Sequence, residues 1–249
     1  MIDWHQRYLQ QSYWTKSLRD YLISTIEITP GMHALEIGCG TGVISIDFQQ
    51  MTKSEVIGID IKFKTLLMAT RNYPNLPYLT GDAQNLPVST NSLDIILCHY
   101  FLLWIDQPEV ALKEAFRVLK PGGQLMIFAE PDYAARIDEP EVLKQLGSLQ
   151  TEALRRQGAC IDMGRKLPAL LSSSGFNEIR YGIMGNEMCS AGLPAWWESE
   201  WQVLTNDLQD MCSSVELANW KSTDRKAWED NMRVLWVPTF YAAARKPED

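Results

Sequence analysis

The stretch ALEIGCGTG, residues 34–42, places three glycines in five positions directly behind an apolar run. Glycine weakens a strand and contributes no side-chain packing, so its concentration here needs a cause. Either something lies against bare backbone, or the turn requires angles that other residues resist. The preceding run reads as a buried strand from about residue 32 to 37, and Val43 to Met51 as a short helix opened by the glycines.

Outward from this loop the pattern repeats. EVIGIDI (55–61) reads as a second strand and Phe63 to about Asn72 as a helix. LPYLTGD (76–82) and SLDIILC (92–98) are the next strand-like segments. Residues 107–119 carry Val110, Ala111, Glu114, Ala115, Val118 and Leu119 at helical spacing, KPGG (120–123) ends that helix, and QLMIFAE (124–130) is a fifth strand. Strands alternating with helices imply crossover units and a parallel sheet covered on both faces. Ligands of such sheets bind beyond the carboxyl ends of the strands, near the switch in strand order, which is where the glycines fall. Further on, helices are expected from Glu139 to about Gln157 and near Lys166 to Ser173, a strand from about Glu178 to Glu187, and a last strand in LWVPTFYAAARK (235–246).

At 249 residues, with 46% hydrophobic and 22% charged, the composition is that of one large α/β domain. A formal net charge of −8 argues against a nucleic-acid partner, which needs a basic face, although a local basic patch would not show in the average. Five cysteines without a CxxC pair argue against a disulfide framework or a structural zinc, no carboxylate cluster suggests another metal, and a reducing cytosol suits them. The first residues lack the basic start and apolar run of a signal peptide, and no stretch approaches a membrane span, so a cytoplasmic location is expected.

The loop's neighbours narrow its ligand. A dinucleotide fingerprint is G-x-G-x-x-G with an acid about 20 residues on. Gly38 and Gly40 fit, but position 43 is Val and the third glycine falls at 42. Asp60 closes the second strand, where its carboxylate can accept both hydroxyls of a ribose. Glu36, two residues before Gly38, suits a ligand carrying an ammonium or sulfonium better than a pyrophosphate. Asp82 ends the third strand, and the backbone N–H of Ala83 beside it can read the amino edge of adenine.

Together LEIGCGTG, GIDI, GDAQNLP, SLDIILC and RVLKPGGQLMI, spanning about residues 32–130, resemble the class I S-adenosylmethionine-dependent methyltransferases, particularly the ubiquinone/menaquinone-biosynthesis and related small-molecule group. The resemblance implies an α/β, Rossmann-like, seven-stranded mostly parallel sheet with an antiparallel last strand, helices on both faces and a helical insertion before that strand. One domain is implied, with an N-terminal helical cap (1–29), a cofactor-binding core (30–130) and a helical lid (189–231). It further implies that Glu36, Gly38, Cys39 and Gly40 hold the methionine part of the cofactor. Asp60 would bind the ribose, Ile61 would pack on adenine, Asp82 and Ala83 would read its amino edge, and Cys98 would lie beside the methionine. The implied activity is methyl transfer from S-adenosylmethionine to a small molecule, with nitrogen or oxygen favoured and carbon open. A nucleic-acid or protein methyltransferase and a non-catalytic nucleotide-cofactor-binding protein stay as alternatives. The first of these lacks both an N/D-P-P-Y motif after the fourth strand and any Pro-Cys pair.

Candidates for the acceptor side follow from the strand ends. His99 is a candidate base. Tyr100, Glu130 and Tyr133 are candidate lining residues, and Tyr8 and Trp14 lie on an amphipathic N-terminal helix that would close over the cofactor or pack on the sheet. In GLPAWWESEWQVLTNDLQDM (192–211), Trp197, Trp201, Leu204, Leu208 and Met211 form one apolar helix face. That face either packs on the sheet or covers the acceptor. In the second case tryptophan faces with Glu198, Glu200 and Glu130 would suit a cationic amine.

Overall fold

The computed structural model describes residues 2–184 and 192–248, with the side chain of Met184 excepted. The expected sheet forms from β1 (His33–Ile37), β2 (Glu55–Asp60), β3 (Tyr78–Thr80), β4 (Leu93–Cys98), β5 (Leu119–Pro131), β7 (Asn177–Met184) and β9 (Thr239–Arg245). Their order is β3-β2-β1-β4-β5-β9-β7. β1 pairs in parallel with β2 and with β4, so the strand order reverses beside the glycine loop. β9, the last strand, runs antiparallel to both β5 and β7, between which it is inserted. The architecture is the Rossmann-like α/β fold implied by the sequence.

Both faces of the sheet are buried, which explains why the strands read as continuous apolar runs rather than alternating ones. On one face Leu35, Ile96 and Ile127 pack with α5 (Pro108–Val118) and α7 (Met163–Ser173) through Ala111, Leu112, Leu167 and Leu171. On the other, Ala34, Leu97 and Phe128 meet Leu18 and Leu22 of α2 (Lys16–Ser24) and Ile44 and Phe48 of α3 (Val43–Thr52). The helix after β2, α4 (Phe63–Asn72), buries Leu66 and Ala69.

Three expectations shift. The N-terminal segment forms two helices, α1 (Trp4–Trp14) and α2, broken at Thr15. The helix expected from Glu139 begins at Lys144, as α6 (Lys144–Arg156), because Pro140 disfavours helical angles at the residue before it. Ile137–Glu139 is instead a short strand, β6, paired antiparallel with β8 (Val234–Trp236). That pairing takes the start of the expected last strand, and β9 begins only after Pro238. The insertion comprises α8 (Trp197–Leu208) and α9 (Ser214–Glu229), the latter opened by a capping box between Ser213 and Glu216. The expected lid's start at 189–191, Cys189 within it, and the expected strand end at 185–187 lie outside the described residues.

Candidate active site

The glycine loop answers its own question in part. Gly38, Gly40 and Gly42 all adopt positive φ (72°, 54° and 82°), the left-handed region that a side chain resists. A Cβ at Gly38 would collide with the Phe101 ring, and one at Gly40 would lie 2.9 Å from Tyr8 Cε2. The loop is therefore bare because of its backbone angles and because aromatic rings of the protein lie against it. Its amides are fixed from below: Gly38 N and Cys39 N donate to Ile59 O at 2.8 and 3.0 Å.

Asp60 is tied to this loop. One carboxylate oxygen accepts from Gly40 N at 2.9 Å and the other from Lys62 N at 2.8 Å. These bonds orient the carboxylate at the end of β2 and leave each oxygen a further lone pair. Ile61, the next residue, is 65% exposed, an apolar side chain left mostly open to solvent. Asp82 is exposed at the neighbouring strand end and forms an isolated bridge with Asn85, while Ala83 beside it is buried. Acid, apolar platform and acid thus occupy the ends of adjacent strands, a donor and acceptor set that fits a ribose and an adenine.

Glu36 is buried below the loop, with Ser45 Oγ of α3 donating to its Oε2. Burial pushes its carboxyl up to about 8, against the opposing Ser45 hydrogen bond. A neutral acid there is poised to ionise beside a cation. Cys39 and Cys98 are buried as well, and desolvation drives both thiols far above the usual range, so neither is a nucleophile.

His99 follows β4. Its Nε2 lies 2.8 Å from Thr15 Oγ1, the same hydroxyl that accepts from Arg19 Nη1 at 2.6 Å. Arg19, itself buried, donates through Nε and Nη2 to Asp47 at 3.0 and 2.7 Å. Burial, aided by the Arg19 charge, holds the imidazole well below its ordinary pKa, so His99 is neutral near pH 7. One ring nitrogen is thus engaged with the α1–α2 break. Tyr100 sits at the strained φ of 50°, with its ring edge-on to His99 at 4.5 Å.

The expected acceptor wall divides. Glu130 is fully buried and accepts from Phe101 N, Leu102 N and Leu103 N at 2.9, 2.7 and 3.1 Å. It holds the turn after β4, and both of its oxygens are occupied by backbone. Trp197 and Trp201 are 2% exposed, and their indole N–H groups donate to Asp224 of α9 at 2.6 and 2.8 Å. The apolar face of α8 is the seam with α6 and α9, because indoles need both burial and an acceptor and Asp224 supplies the latter. Glu198 points to Lys221 on that side. Glu130, Trp197 and Trp201, expected as acceptor-side residues, are thus buried with their polar atoms engaged within the protein, and Glu198 pairs with Lys221 at the surface.

Tyr8 and Trp14 do face other elements of the site. Tyr8 covers Gly40, and burial, with a smaller contribution from the Asp60 charge, raises its phenol. His5 Nδ1 is 2.9 Å from Thr41 Oγ1 of the loop. Trp14 meets Trp196 edge-on at 5.9 Å, just before α8. Between α1 and α8, Arg7 stacks over Trp14 at 5.0 Å and pairs with Glu200. Tyr100, Tyr133 and Asp207 are close enough to act electrostatically on Arg7, whose guanidinium is lowered by burial. Arg7, Gln10 and Trp14 share one face of α1 by spacing. Among the described residues no cluster of His, Cys, Asp or Glu could hold a metal ion, and no helix is long and apolar enough to cross a membrane.

Residues 35–127 match the methyltransferase domain family. Fold and match define the class: this segment is a class I, S-adenosylmethionine-dependent methyltransferase domain. Among named relatives, an uncharacterised 37.1 kDa protein of a Streptomyces fradiae transposon is 34% identical over 68% of this chain and 51% of its own length. Demethylmenaquinone methyltransferase of Renibacterium salmoninarum is 30% identical over 48% of this chain and 51% of its own. The chain spans about half the length of the curated relatives it matches. In fold, it resembles Haemonchus contortus phosphoethanolamine N-methyltransferase 2, solved with phosphomonomethylethanolamine and S-adenosylhomocysteine, at a TM-score of 0.59 and 17% identity, over 93% of this chain and 53% of that one.

Proposed function

We propose that this chain transfers a methyl group from S-adenosylmethionine to a small-molecule acceptor at nitrogen or oxygen. The observation that carries the reading is the fixed Asp60 carboxylate beside exposed Ile61, with Asp82 at the next strand end. When bound, the cofactor supplies an activated methyl on a sulfonium, ready for in-line displacement. The protein's part is to hold and to exclude water. Asp60 takes the ribose hydroxyls, Ile61 and Ala83 the adenine, and Glu36 with the glycine-loop amides the methionine end. Alignment of the acceptor against the methyl supplies several kcal/mol of the barrier reduction.

A base is needed only where the attacking atom must lose a proton. His99, neutral and near β4, serves that step through Nδ1 while Thr15 holds Nε2. A cationic amine acceptor finds no free partner among these groups, since Glu130, Glu198, Trp197 and Trp201 are engaged elsewhere and Arg7 occupies both Glu200 and the Trp14 ring. Side-by-side calorimetry with S-adenosylmethionine and NAD tests the cofactor. Asp60→Ala should cost about 1.5–3 kcal/mol of S-adenosylmethionine affinity, the range for hydrogen bonds to a charged group. Preference for NAD, or an Asp60→Ala protein that is folded and binds unchanged, would overturn the reading.

A further inference from the structure

α4 turns Leu66 and Ala69 onto the outer strands of the sheet. Its other side leaves Phe63, Leu67 and Met68 60%, 43% and 37% exposed, whereas no other helix among the described residues exposes more than two large apolar side chains. At about 3.6 residues per turn, Lys64 and Arg71 fall between Leu67 and Met68 on that side, and both are exposed. Charge is segregated here as well. The chain has a formal net charge of −8, yet residues 61–81 include Lys62, Lys64 and Arg71 and no acid. None of the three is ion-paired among the described residues. Asp60 and Asp82, which bound this run, belong to the cofactor end of the strands.

Exposed apolar side chains interleaved with unpaired cations select one kind of surface. A nucleic acid would satisfy the cations but set leucine and methionine against phosphates. A two-fold contact through this face would bring Lys64 and Arg71 toward their own counterparts. An anionic bilayer takes both: the apolar groups enter the acyl boundary, and the cations reach headgroup charge on their flexible stems. We propose that α4 is a peripheral docking face that seats this protein on bilayers containing anionic lipid, through Phe63, Leu67, Met68, Lys62, Lys64 and Arg71. Ten residues of helix span about 15 Å, half a bilayer core, so α4 lies in the interface and does not cross it. So small a patch gives weak, reversible attachment. The inference stands apart from the methyl-transfer reading, because none of these side chains is assigned to cofactor or acceptor.

The test is sedimentation of the protein with vesicles of phosphatidylcholine alone or mixed equally with phosphatidylglycerol. Affinity should be at least ten-fold higher for the mixed vesicles and should fall as salt is raised. Phe63→Ser/Leu67→Ser and Lys64→Gln/Arg71→Gln should each weaken that binding at least ten-fold with the melting temperature unchanged. Val215→Ser, at an exposed apolar side chain of α9, should leave it as in wild type. Hydrogen exchange of the wild-type protein, which needs no variant, should slow in residues 63–71 when mixed vesicles are added. Equal affinity for both vesicles, binding to neither, folded α4 variants that bind as wild type, or unchanged exchange would overturn the inference. Binding to soluble polyglutamate as tightly as to mixed vesicles would give the face to an acidic protein. A concentration-dependent dimer abolished by Leu67→Asp would give it to a second copy of this chain. Either result overturns the membrane assignment.

Discussion

At the scale of single residues, Glu36 is a buried carboxyl whose behaviour departs far from its solution chemistry. Its folded pKa of about 8 stands above the usual carboxyl value of 4.5. The unfolded chain gives up this proton near pH 4.5 and the folded chain only near pH 8, so the stability it contributes at low pH is lost across that interval. Near pH 7 the free protein therefore holds Glu36 protonated. A cation placed beside the loop favours the ionised form, so cofactor binding should expel this proton. Calorimetry of S-adenosylmethionine binding in buffers of differing ionisation enthalpy should show release approaching one proton near pH 7 and fading above the folded pKa. Glu36→Gln should abolish the release. Proton-neutral binding of the wild-type protein at pH 7 would show that the cofactor's charge lies away from Glu36.

At the scale of elements, α8 shows what a sequence pattern can and cannot tell. The spacing of Trp197, Trp201, Leu204 and Leu208 gave one buried helix face, and all four are buried, whereas Met211, expected on the same face, lies beyond the helix end at Leu208 and is half-buried. Which neighbour covers that face was not legible, because periodicity fixes a direction on the helix and not what lies there. The deciding residue is Asp224, which accepts from both indoles and from Arg233 Nε at 2.7 Å, with Arg233 in turn donating to Asp138 of β6 at 2.8 Å. These partners are brought together across long stretches of sequence. The cofactor side was legible for the opposite reason, since each of its groups sits at a strand end whose place follows from the order of the sheet. Asp224→Ala would leave a buried arginine and two indoles short of an acceptor, at about 3–5 kcal/mol for a broken buried pair. Trp197→Ala should cost a similar amount, about 3–5 kcal/mol, by opening a cavity. Urea unfolding measures both. If Trp197→Ala instead kept full stability and raised only the acceptor KM, the indole would belong to the cleft after all.

For the whole molecule, the site is built from parts of unequal stability. β1 and β4 lie in the middle of the sheet under a core packed from both sides. α2 is anchored by buried Leu18, Arg19 and Leu22, but α1 buries no residue fully. It is held by His5 on Thr41, Tyr8 on Gly40, Arg7 on Glu200 and Trp14 on Trp196. Few buried contacts mean a small local opening free energy, so α1 should open far more often than the sheet, hinging at Thr15. Because α1 covers the loop that would take the methionine end of the cofactor, binding should follow that opening and ligand should then hold the helix down. Hydrogen exchange should show amides of residues 7–14 exchanging much faster than those of 93–98 in the free protein. Saturating S-adenosylhomocysteine should slow the α1 amides markedly, while a charge-removing Arg7→Met should speed them in the free state. Exchange in α1 as slow as in β4, or unchanged by ligand, would mean that the helix is a fixed wall and that the cofactor enters by another path.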